Sequence, residues 1–254
     1  MEHNITTSGD GSSTLQLTRY NETYHSRNGA YTEAQHIYIK NGLEHLFHNT
    51  CKSINIFDIG FGTGLNCILA WAWQQQLRLN GLPYPQIYYW GIEKYPIPFS
   101  ETEQFNYPQI IAQHSNLLPD KLQEIFRIMH QCNWEKDIAI PENFNSGATS
   151  ENWEFVLHKN RADISSLNEE YYHTASNLNG SPAVIFYDTF SPATQPELWD
   201  ENIFRTIAAG CPSGSVLVTY CSKGTVKQAL RAAGFTLERL AGPPGKRHIL
   251  RGTL

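Results

Sequence analysis

The chain has 254 residues, of which 41% are hydrophobic and 12% aromatic, which is enough for the core of one domain, or of one domain with an appendage. Its formal net charge of −5 argues against broad, nonspecific binding to nucleic acid, although it leaves a local basic patch open. No run is long and apolar enough to span a membrane, and the polar N-terminus lacks the pattern of a signal peptide.

The cysteines indicate a reducing compartment. There are five of them, scattered along the chain with no C-x-x-C pair: Cys51, Cys67, Cys132, Cys211 and Cys221. An odd, dispersed set predicts reduced thiols and a cytoplasmic protein. The ten histidines are dispersed as well, so we expect no metal site.

Residues 1–50 are predicted to form a small β-rich appendage to a main domain at 51–254. Residues 1–11 are polar and expected to be frayed. Short alternating segments at 14–17 and 36–39 predict two or three antiparallel strands, and 41–49 predicts a short helix. A doubly wound core needs none of these elements, so the appendage is expected to cover a ligand site.

Residues 54–66, INIFDIGFGTGLN, carry the clearest motif. An apolar run reaches Asp58, glycines follow, and apolar residues then recur at helical spacing, which predicts a buried strand, a glycine turn and a helix. Glycines allow positive φ and close approach of a ligand, and the N–H groups at the helix start attract its polar groups. The G-x-G-x-G spacing, two residues after an acid, differs from the dinucleotide fingerprint G-x-G-x-x-G. It favours the cofactor loop of class I S-adenosylmethionine-dependent methyltransferases over a nicotinamide site or a purely structural turn.

Three further predicted strands, at 86–92, 153–158 and 183–187, are each followed by an acid. Ligands of an open α/β sheet bind outside the carboxyl ends of its strands. The sequence therefore predicts one rim that carries four acids: Asp58, Glu93, Asp163 and Asp188.

Two of these acids have a second interpretation. Glu93 can accept both hydroxyls of a ribose, or it can be a solvated carboxylate paired with Lys94. Asp163 can accept from an adenine amino group while Ile164 packs on the ring, or it can cap a helix at 165–171.

The remaining elements complete an α/β sheet. Ser100 with Glu103 suggests a capping box, Asp120 is predicted to cap a helix, and the polar stretch 131–152 is predicted to be an inserted loop. Strands at 214–220, 235–240 and 248–252 follow. The predicted fold is Rossmann-like, with a mostly parallel, seven-stranded sheet whose last strand is antiparallel.

A basic cluster, Lys246-Arg247-His248 with Arg251, lies in the last predicted hairpin. From the residues alone, a solvated sheet edge and a phosphate-contact patch are equally good interpretations.

From about residue 21 to the end, the chain resembles a known family. The resemblance rests on NETYHSRNGAYTEAQHIYI, GFGTGLN, IEKYPIP, DTFSPATQPELW and AAGFTLERLAGPPGKRHIL. These motifs are similar to those of the tRNA wobble-uridine methyltransferases that convert 5-aminomethyl-2-thiouridine to its 5-methylaminomethyl form. In many bacteria that activity is one domain of a bifunctional enzyme whose other half is a flavin-dependent oxidase. The resemblance implies a stand-alone methyltransferase form, with a separate oxidase as a possible partner.

The resemblance implies S-adenosyl-L-methionine as the cofactor and assigns residues to it. Glu93 and Lys94 match the ribose-binding pair, and Asp163 with Ile164 match the adenine contacts. The methionyl part is expected along the glycine loop and the acid before it: Asp58, Gly60, Phe61, Gly62, Thr63, Gly64 and Asn66.

The resemblance also implies how the substrate is bound. Asp188 is expected beside the transferable methyl group, with Phe190 and Pro192 shaping the pocket of the wobble base. Tyr24 and Glu33 match an N-terminal segment that closes over the cofactor.

At the C-terminal end, Lys246 and Arg247 match a basic segment that meets phosphates of the tRNA anticodon region. His248 stands where the family more often has an acid, and 131–152 is less typical of the family.

The expected chemistry is direct, in-line methyl transfer to a primary amine that Asp188 orients and deprotonates. Two other functions stay open at this point. One is methylation of a small-molecule or protein amine, and the other is a non-catalytic module that binds nucleotide or tRNA.

Overall fold

The computed structural model describes residues 3–17, 22–47, 52–141, 154–177 and 180–254. The strands in these ranges are β1 (His3–Thr7), β2 (Ser13–Leu17), β3 (Glu22–Thr23), β4 (Ser53–Ile59), β5 (Gln86–Ile92), β6 (Asp137–Ala139), β7 (Phe155–Asn160), β8 (Ala183–Tyr187), β9 (Val216–Thr219), β10 (Thr236–Ala241) and β11 (His248–Thr253).

The segments Ala30–Ala34, Gln35–Leu43 and Glu44–Leu46 continue as one helix, α1, whose middle part has π-helical hydrogen bonding. Short 3₁₀ turns occur at Ile164–Ser166 and Pro196–Trp199. The other helices are α2 (Leu65–Leu79), α3 (Phe99–Thr102), α4 (Tyr107–Gln113), α5 (Pro119–Gln131), α6 (Glu169–Asn177), α7 (Glu201–Gly210) and α8 (Gly224–Ala232).

The central sheet has the order β10-β11-β9-β8-β4-β5-β7-β6. Strands β7, β5, β4, β8 and β9 are parallel, and the last strand β11 is antiparallel to β9. The predicted fold class is therefore confirmed. The described part of the sheet has eight strands rather than seven, because β6 pairs antiparallel with β7.

Apolar residues cover both faces of the sheet. Ile54 and Ile56 of β4 pack in one cluster with α1, α2 and α5, whereas Phe57 and Ile59 pack in a second cluster with α6, α7 and α8. Side chains of a strand alternate between its two faces. β4 is buried on both faces along its whole length, as its mostly apolar sequence predicted, and Ser53, Asn55 and Asp58 are buried with it.

The N-terminal part differs from its prediction in two places. Residues 3–7, predicted to be frayed, form β1 and pair antiparallel with β2. The predicted strand at 36–39 is wrong, because these residues lie in α1, where Ile37, Tyr38 and Ile39 are all buried. Four alternating residues are too few to separate a strand from a buried helix. Gly42 lets α1 lie directly on the sheet, since a Cβ there would be 2.8 Å from Val218 Cγ2.

Smaller corrections concern helix ends and the insertion. Ser100 does not cap α3, whose N-cap is Pro98, and Asp120 lies in the first turn of α5 after the N-cap Leu118. The predicted loop 131–152 contains β6, and its part from 142 onward lies outside the described residues. No helix in the described ranges is long and apolar enough to cross a membrane.

Candidate functional site

The site lies where β4 separates β5 and β7 from β8 and β9. The chain leaves β4 towards one side of the sheet and returns on the other, and ligands of open α/β sheets bind at such a switch point. Backbone hydrogen bonds join the strand ends here, from Gly60 N to Ile92 O (3.0 Å) and from Asp188 N to Ile59 O (3.0 Å).

The glycine loop needs its glycines for conformation and for space. Gly60, Gly62 and Gly64 have φ of +96°, +49° and +73°, a region that other residues enter only with strain. At Gly60 a Cβ would also be 2.6 Å from the carbonyl oxygen of Asp188. The first glycine therefore brings the loop against the segment that follows β8.

A cavity of about 200 Å³, the glycine-loop cavity, opens above these strand ends. It is lined by Tyr24, Ile59, Gly60, Gly62, Ile92, Glu93, Lys94, Tyr95, Ala162, Asp163, Ile164, Ser165, Asp188, Thr189, Phe190, Gln195, Glu197 and Leu198. Three of the four acids predicted for this rim therefore line one cavity.

Glu93 turns towards the glycine loop. Its carboxylate accepts hydrogen bonds from Gly62 N (3.0 Å) and Tyr95 N (2.8 Å). Burial raises the pKa of Glu93, and these backbone donors oppose the shift. The alternative of a solvated carboxylate paired with Lys94 is wrong, since Lys94 pairs with Asp163 instead.

Asp163 lines the cavity and caps a short turn rather than the predicted helix at 165–171, because the next helix begins only at Glu169. It caps the turn Ile164–Ser166 by accepting from Ser165 N (3.0 Å), and it lines the cavity together with the buried Ile164. Its second oxygen is 2.7 Å from Lys94 Nζ, and the bond from Lys94 is the main reason that the pKa of Asp163 is lowered.

Asp58 lies beneath the cavity and is fully buried. It accepts from the hydroxyl of Tyr89 (2.6 Å), and Asn66 Nδ2 lies 3.5 Å from Asp58 and 3.0 Å from Asp188. Burial raises the pKa of Asp58 well above its usual range. Asp58 and Asn66 thus support the lining residue Asp188 from behind.

A second cavity of about 400 Å³, the N-terminal cavity, lies next to the first. Its lining comes from the N-terminal segment, the loop after β8 and the C-terminal part of the chain: Glu22, Thr23, Tyr24, His25, Ser26, Arg27, Glu33, Asp188, Thr189, Phe190, Tyr220 and Lys246. Tyr24, Asp188, Thr189 and Phe190 belong to both cavities.

Asp188 therefore stands on the wall between the two cavities. Burial raises its pKa to about 6, and the hydrogen bond from Asn66 is among the influences that oppose this rise. The loop that carries it is fixed by Tyr220, whose hydroxyl donates to Thr189 O (3.0 Å), and by Trp199, whose Nε1 donates to Phe190 O (2.8 Å). A positioned carboxylate with a pKa near neutrality can take up and release protons at physiological pH.

Two residues that the resemblance linked to different ligands meet in the N-terminal cavity. Glu33 lines this cavity and not the glycine-loop cavity, and its Oε2 is 2.5 Å from Lys246 Nζ. Lys246 Nζ also lies 5.0 Å from the ring centre of Tyr220.

Other predicted site residues line neither cavity. Phe61 and Thr63 are buried, Gly64 is the N-cap of α2, Pro192 lies in the loop after Phe190, and the Arg247 side chain is exposed.

The sequence did not single out His25, although it lines the N-terminal cavity. Its Nε2 is 3.4 Å from the hydroxyl of Thr63, which also accepts from Tyr107 (3.1 Å). Burial lowers the pKa of His25 to about 4, so its imidazole is neutral at pH 7. His25 thereby connects the N-terminal segment to the glycine loop, and the only signal for this was its place in a recognised motif.

The chain is similar to known proteins in sequence and in fold. The profile of a family described as S-adenosyl-L-methionine-dependent methyltransferase matches residues 145–254. Two similar proteins carry the name tRNA 5-methylaminomethyl-2-thiouridine biosynthesis bifunctional protein MnmC. The one from Stutzerimonas stutzeri is 26% identical over 94% of this chain, and the one from Nitrosospira multiformis is 28% identical over 94%.

The chain spans 33% and 35% of the length of these two relatives. Among solved structures, MnmC2 from Aquifex aeolicus superimposes with a TM-score of 0.68 at 22% identity, covering 100% of this chain and 70% of that one. The similar structure supports the fold, and the family profile and the relatives support the activity. Together they show that the chain is similar to S-adenosylmethionine-dependent methyltransferases and to part of MnmC.

Proposed function

We propose that the protein methylates the aminomethyl nitrogen of 5-aminomethyl-(2-thio)uridine at the wobble position of tRNA, giving 5-methylaminomethyl-(2-thio)uridine. The observation that carries the proposal is the place of Asp188 on the wall between two cavities. A methyl donor in one cavity and an amine in the other would meet beside this carboxylate.

The residues of the glycine-loop cavity fit S-adenosylmethionine. Glu93 keeps unused lone pairs beyond its two backbone donors, which suits the hydroxyls of a ribose. Ile164 offers an apolar surface and Asp163 an acceptor for adenine. The positive φ of Gly60 and Gly62 gives the loop a backbone without side chains that the methionyl part could approach closely.

The predicted cofactor residues that do not line this cavity would support the residues that do. Asn66 holds Asp188 and also contacts Asp58, and Phe61, Thr63 and Gly64 shape the loop. Residues 1–50, through Tyr24, would cover the cofactor, while Glu33 acts on the acceptor side.

Bound S-adenosylmethionine supplies an electrophilic methyl group on its sulfonium. The protein must hold the acceptor amine in line with this methyl group and remove one proton, because a protonated amine has no lone pair for attack. In the proposal, Asp188 performs both tasks. Its carboxylate accepts hydrogen bonds from the amine, and a pKa of about 6 lets it hold the released proton and pass it on.

The proposed acceptor pocket is the N-terminal cavity. Phe190 and Tyr24 make an edge-to-face pair with ring centres 5.1 Å apart on its wall, and rings of this kind pack against bases. Outside the cavity, the exposed Arg247 is available for a phosphate of the anticodon region. A tRNA acceptor would place the reaction in the cytoplasm, and a separate flavin-dependent oxidase would be the partner that supplies the primary amine.

Mass spectrometry of nucleosides tests this proposal. A tRNA that carries 5-aminomethyl-2-thiouridine is incubated with the protein and S-adenosylmethionine, digested and analysed. We expect a gain of one methyl on the wobble nucleoside and a far slower gain with Asp188→Asn.

Equal methylation of the free nucleoside would indicate a small-molecule enzyme. Cofactor binding by calorimetry without any methyl gain would refute the tRNA reaction while leaving the cofactor site in place.

A further inference from the structure

Lys246 and Arg247 are neighbours in sequence, but their side chains are placed differently. Arg247 is exposed. Lys246 lines the N-terminal cavity, and its side chain is only 25% exposed. A lysine whose charge serves mainly to attract phosphates normally extends into solvent, so the inward position of Lys246 needs another explanation.

Two contacts hold the Lys246 side chain in the cavity. Its ammonium is 2.5 Å from Glu33 Oε2 and 5.0 Å from the ring centre of Tyr220. Glu33 itself is fixed, because its other oxygen accepts from Ser26 N (3.2 Å) and α1 carries its backbone. The hairpin that carries Lys246 is tied to the same helix by the contact between His36 Nε2 and Ala241 O (2.8 Å).

The Lys246 ammonium is thereby held in the same cavity as Asp188. Burial is the main influence on the pKa of Asp188, and the charges of Glu33 and Lys246 are among the smaller ones. Because an ammonium has three N–H groups, Glu33 leaves donors available for a ligand. The cavity therefore offers a carboxylate for an amine and, near it, a fixed hydrogen-bond donor.

We infer that Lys246 donates a hydrogen bond to the O4 carbonyl of the target base and so selects uridine over cytidine, with Glu33 as the residue that positions it. This inference rests on the proposed function. In a 5-aminomethylated pyrimidine, C4 is the ring atom next to the substituted C5. An amine held at Asp188 therefore brings the group on C4 close to the same part of the cavity. Uracil presents an acceptor there, whereas cytosine presents an amino group whose N–H bonds oppose those of an ammonium.

The inference makes no use of the atom at C2. O4 is the same in 5-aminomethyluridine and in its 2-thio form. Recognition through Lys246 thus suits both forms of the base and still excludes a cytosine with an identical nucleophile.

The test uses two anticodon stem-loop RNAs that differ only in the wobble base, 5-aminomethyluridine or 5-aminomethylcytidine. For the wild type we expect kcat/KM to be at least about 10-fold higher for the uridine RNA, the discrimination typical of one specific base contact. In Lys246→Met this ratio should fall towards one, mainly through loss of activity on uridine. Lys246→Arg keeps a donor and should retain part of the preference.

Arg247→Ala is the matched control. Loss of a phosphate contact should raise KM for both RNAs alike and reduce the salt dependence of KM by about one counterion, while the ratio between the bases stays as in the wild type. Glu33→Gln, which frees Lys246 without removing it, should lower the ratio less than Lys246→Met does.

The possible outcomes distinguish a failure of the Lys246 inference from a failure of the proposed function. If the wild type methylates neither of the two stem-loop RNAs nor the tRNA, the proposed function is refuted. Equal methylation of both bases by the wild type, or an unchanged ratio in Lys246→Met, overturns the role of Lys246 alone. A Lys246→Met variant with the salt response expected of Arg247→Ala would assign Lys246 to a phosphate instead.

Discussion

The two cavities that share Asp188 are built from different parts of the chain. Most of the glycine-loop cavity follows directly from the carboxyl ends of β4, β5, β7 and β8, which are neighbours in the sheet. The N-terminal cavity joins residues 22–27 and Glu33 to Tyr220 and Lys246, which are about two hundred positions away in sequence. One cavity is thus a property of the sheet, and the other depends on the docking of the two chain ends.

Their charged groups differ in the same way. In the glycine-loop cavity, the backbone N–H groups of Gly62 and Tyr95 hold Glu93, and Asp163 pairs with Lys94 from the end of the adjacent strand. In the N-terminal cavity a long-range ion pair, Glu33 with Lys246, carries the charge. We therefore expect substitutions in the first cavity to affect cofactor binding and substitutions in the second to affect the acceptor, with Asp188 as the point where both meet.

The largest effect is expected for Asp188→Asn. The amide has the same shape but takes up no proton, so kcat should fall by about 10²- to 10⁴-fold, the usual contribution of a positioned general base. The affinity for S-adenosylhomocysteine, measured by calorimetry, should stay within a few-fold of the wild type. A variant with normal kcat would exclude Asp188 from proton transfer.

The next largest effect is expected in the glycine loop, where two single variants, Gly60→Ala and Gly62→Ala, are compared. Gly60→Ala combines a φ of +96° with a Cβ 2.6 Å from Asp188 O, whereas at Gly62 the nearest heavy atom is Tyr24 Cδ1 at 3.4 Å. Left-handed conformation alone costs an alanine about 1 to 2 kcal/mol. We expect calorimetry to show a loss of cofactor affinity of about 10-fold or more for Gly60→Ala and a smaller loss for Gly62→Ala. The reverse order would place the cofactor away from Gly60.

The pH dependence of the wild type gives a smaller but more specific signal. Burial raises the pKa of Asp188 from 3.8 to about 6, so the carboxylate is ionised above that pH and protonated below it. Below about pH 6, kcat should therefore fall about tenfold per pH unit, reflecting the fraction of ionised Asp188. This pH dependence is measured in single-turnover experiments at saturating RNA. A flat profile down to pH 5 would contradict a role of Asp188 as the proton acceptor.

The sequence predicted the glycine-loop cavity well and the N-terminal cavity poorly, for a physical reason. Strand ends that carry Glu93 or Asp163 are local patterns, and parallel pairing brings them to one rim whatever the loops do. The inward turn of Lys246 depends instead on Glu33, and this pairing exists only after α1 and the last hairpin have packed together. The same limit explains why residues 36–39 were assigned to a strand, since only packing against β8 and β9 distinguishes the two forms.

The smallest effect is expected for a substitution of Asp10, which lies in the N-terminal segment. Its carboxylate accepts from Ser8 Oγ (2.9 Å), Ser12 N (3.1 Å) and Thr32 N (2.8 Å), and so fixes β1, β2 and the start of α1 to one another. Burial alone would raise the pKa of Asp10, but the hydrogen bonds from Ser12 and Thr32 outweigh it and lower the pKa from 3.8 to about 2. The group is partly exposed, so we expect Asp10→Ala to reduce the free energy of unfolding in urea by only about 1 kcal/mol at pH 7.

The sign of the pH effect follows from the direction of the shift. A depressed pKa stabilises the fold above the unfolded-state pKa, and this stabilisation disappears as the pH falls from about 4 towards about 2. The difference between wild type and Asp10→Ala should shrink over the same interval. At pH 7 the variant should raise KM for the RNA more than the dissociation constant of the cofactor, because Asp10 holds the start of α1, which carries Glu33 of the N-terminal cavity. Equal effects on both ligands would show that the two cavities depend on the N-terminal segment to the same degree.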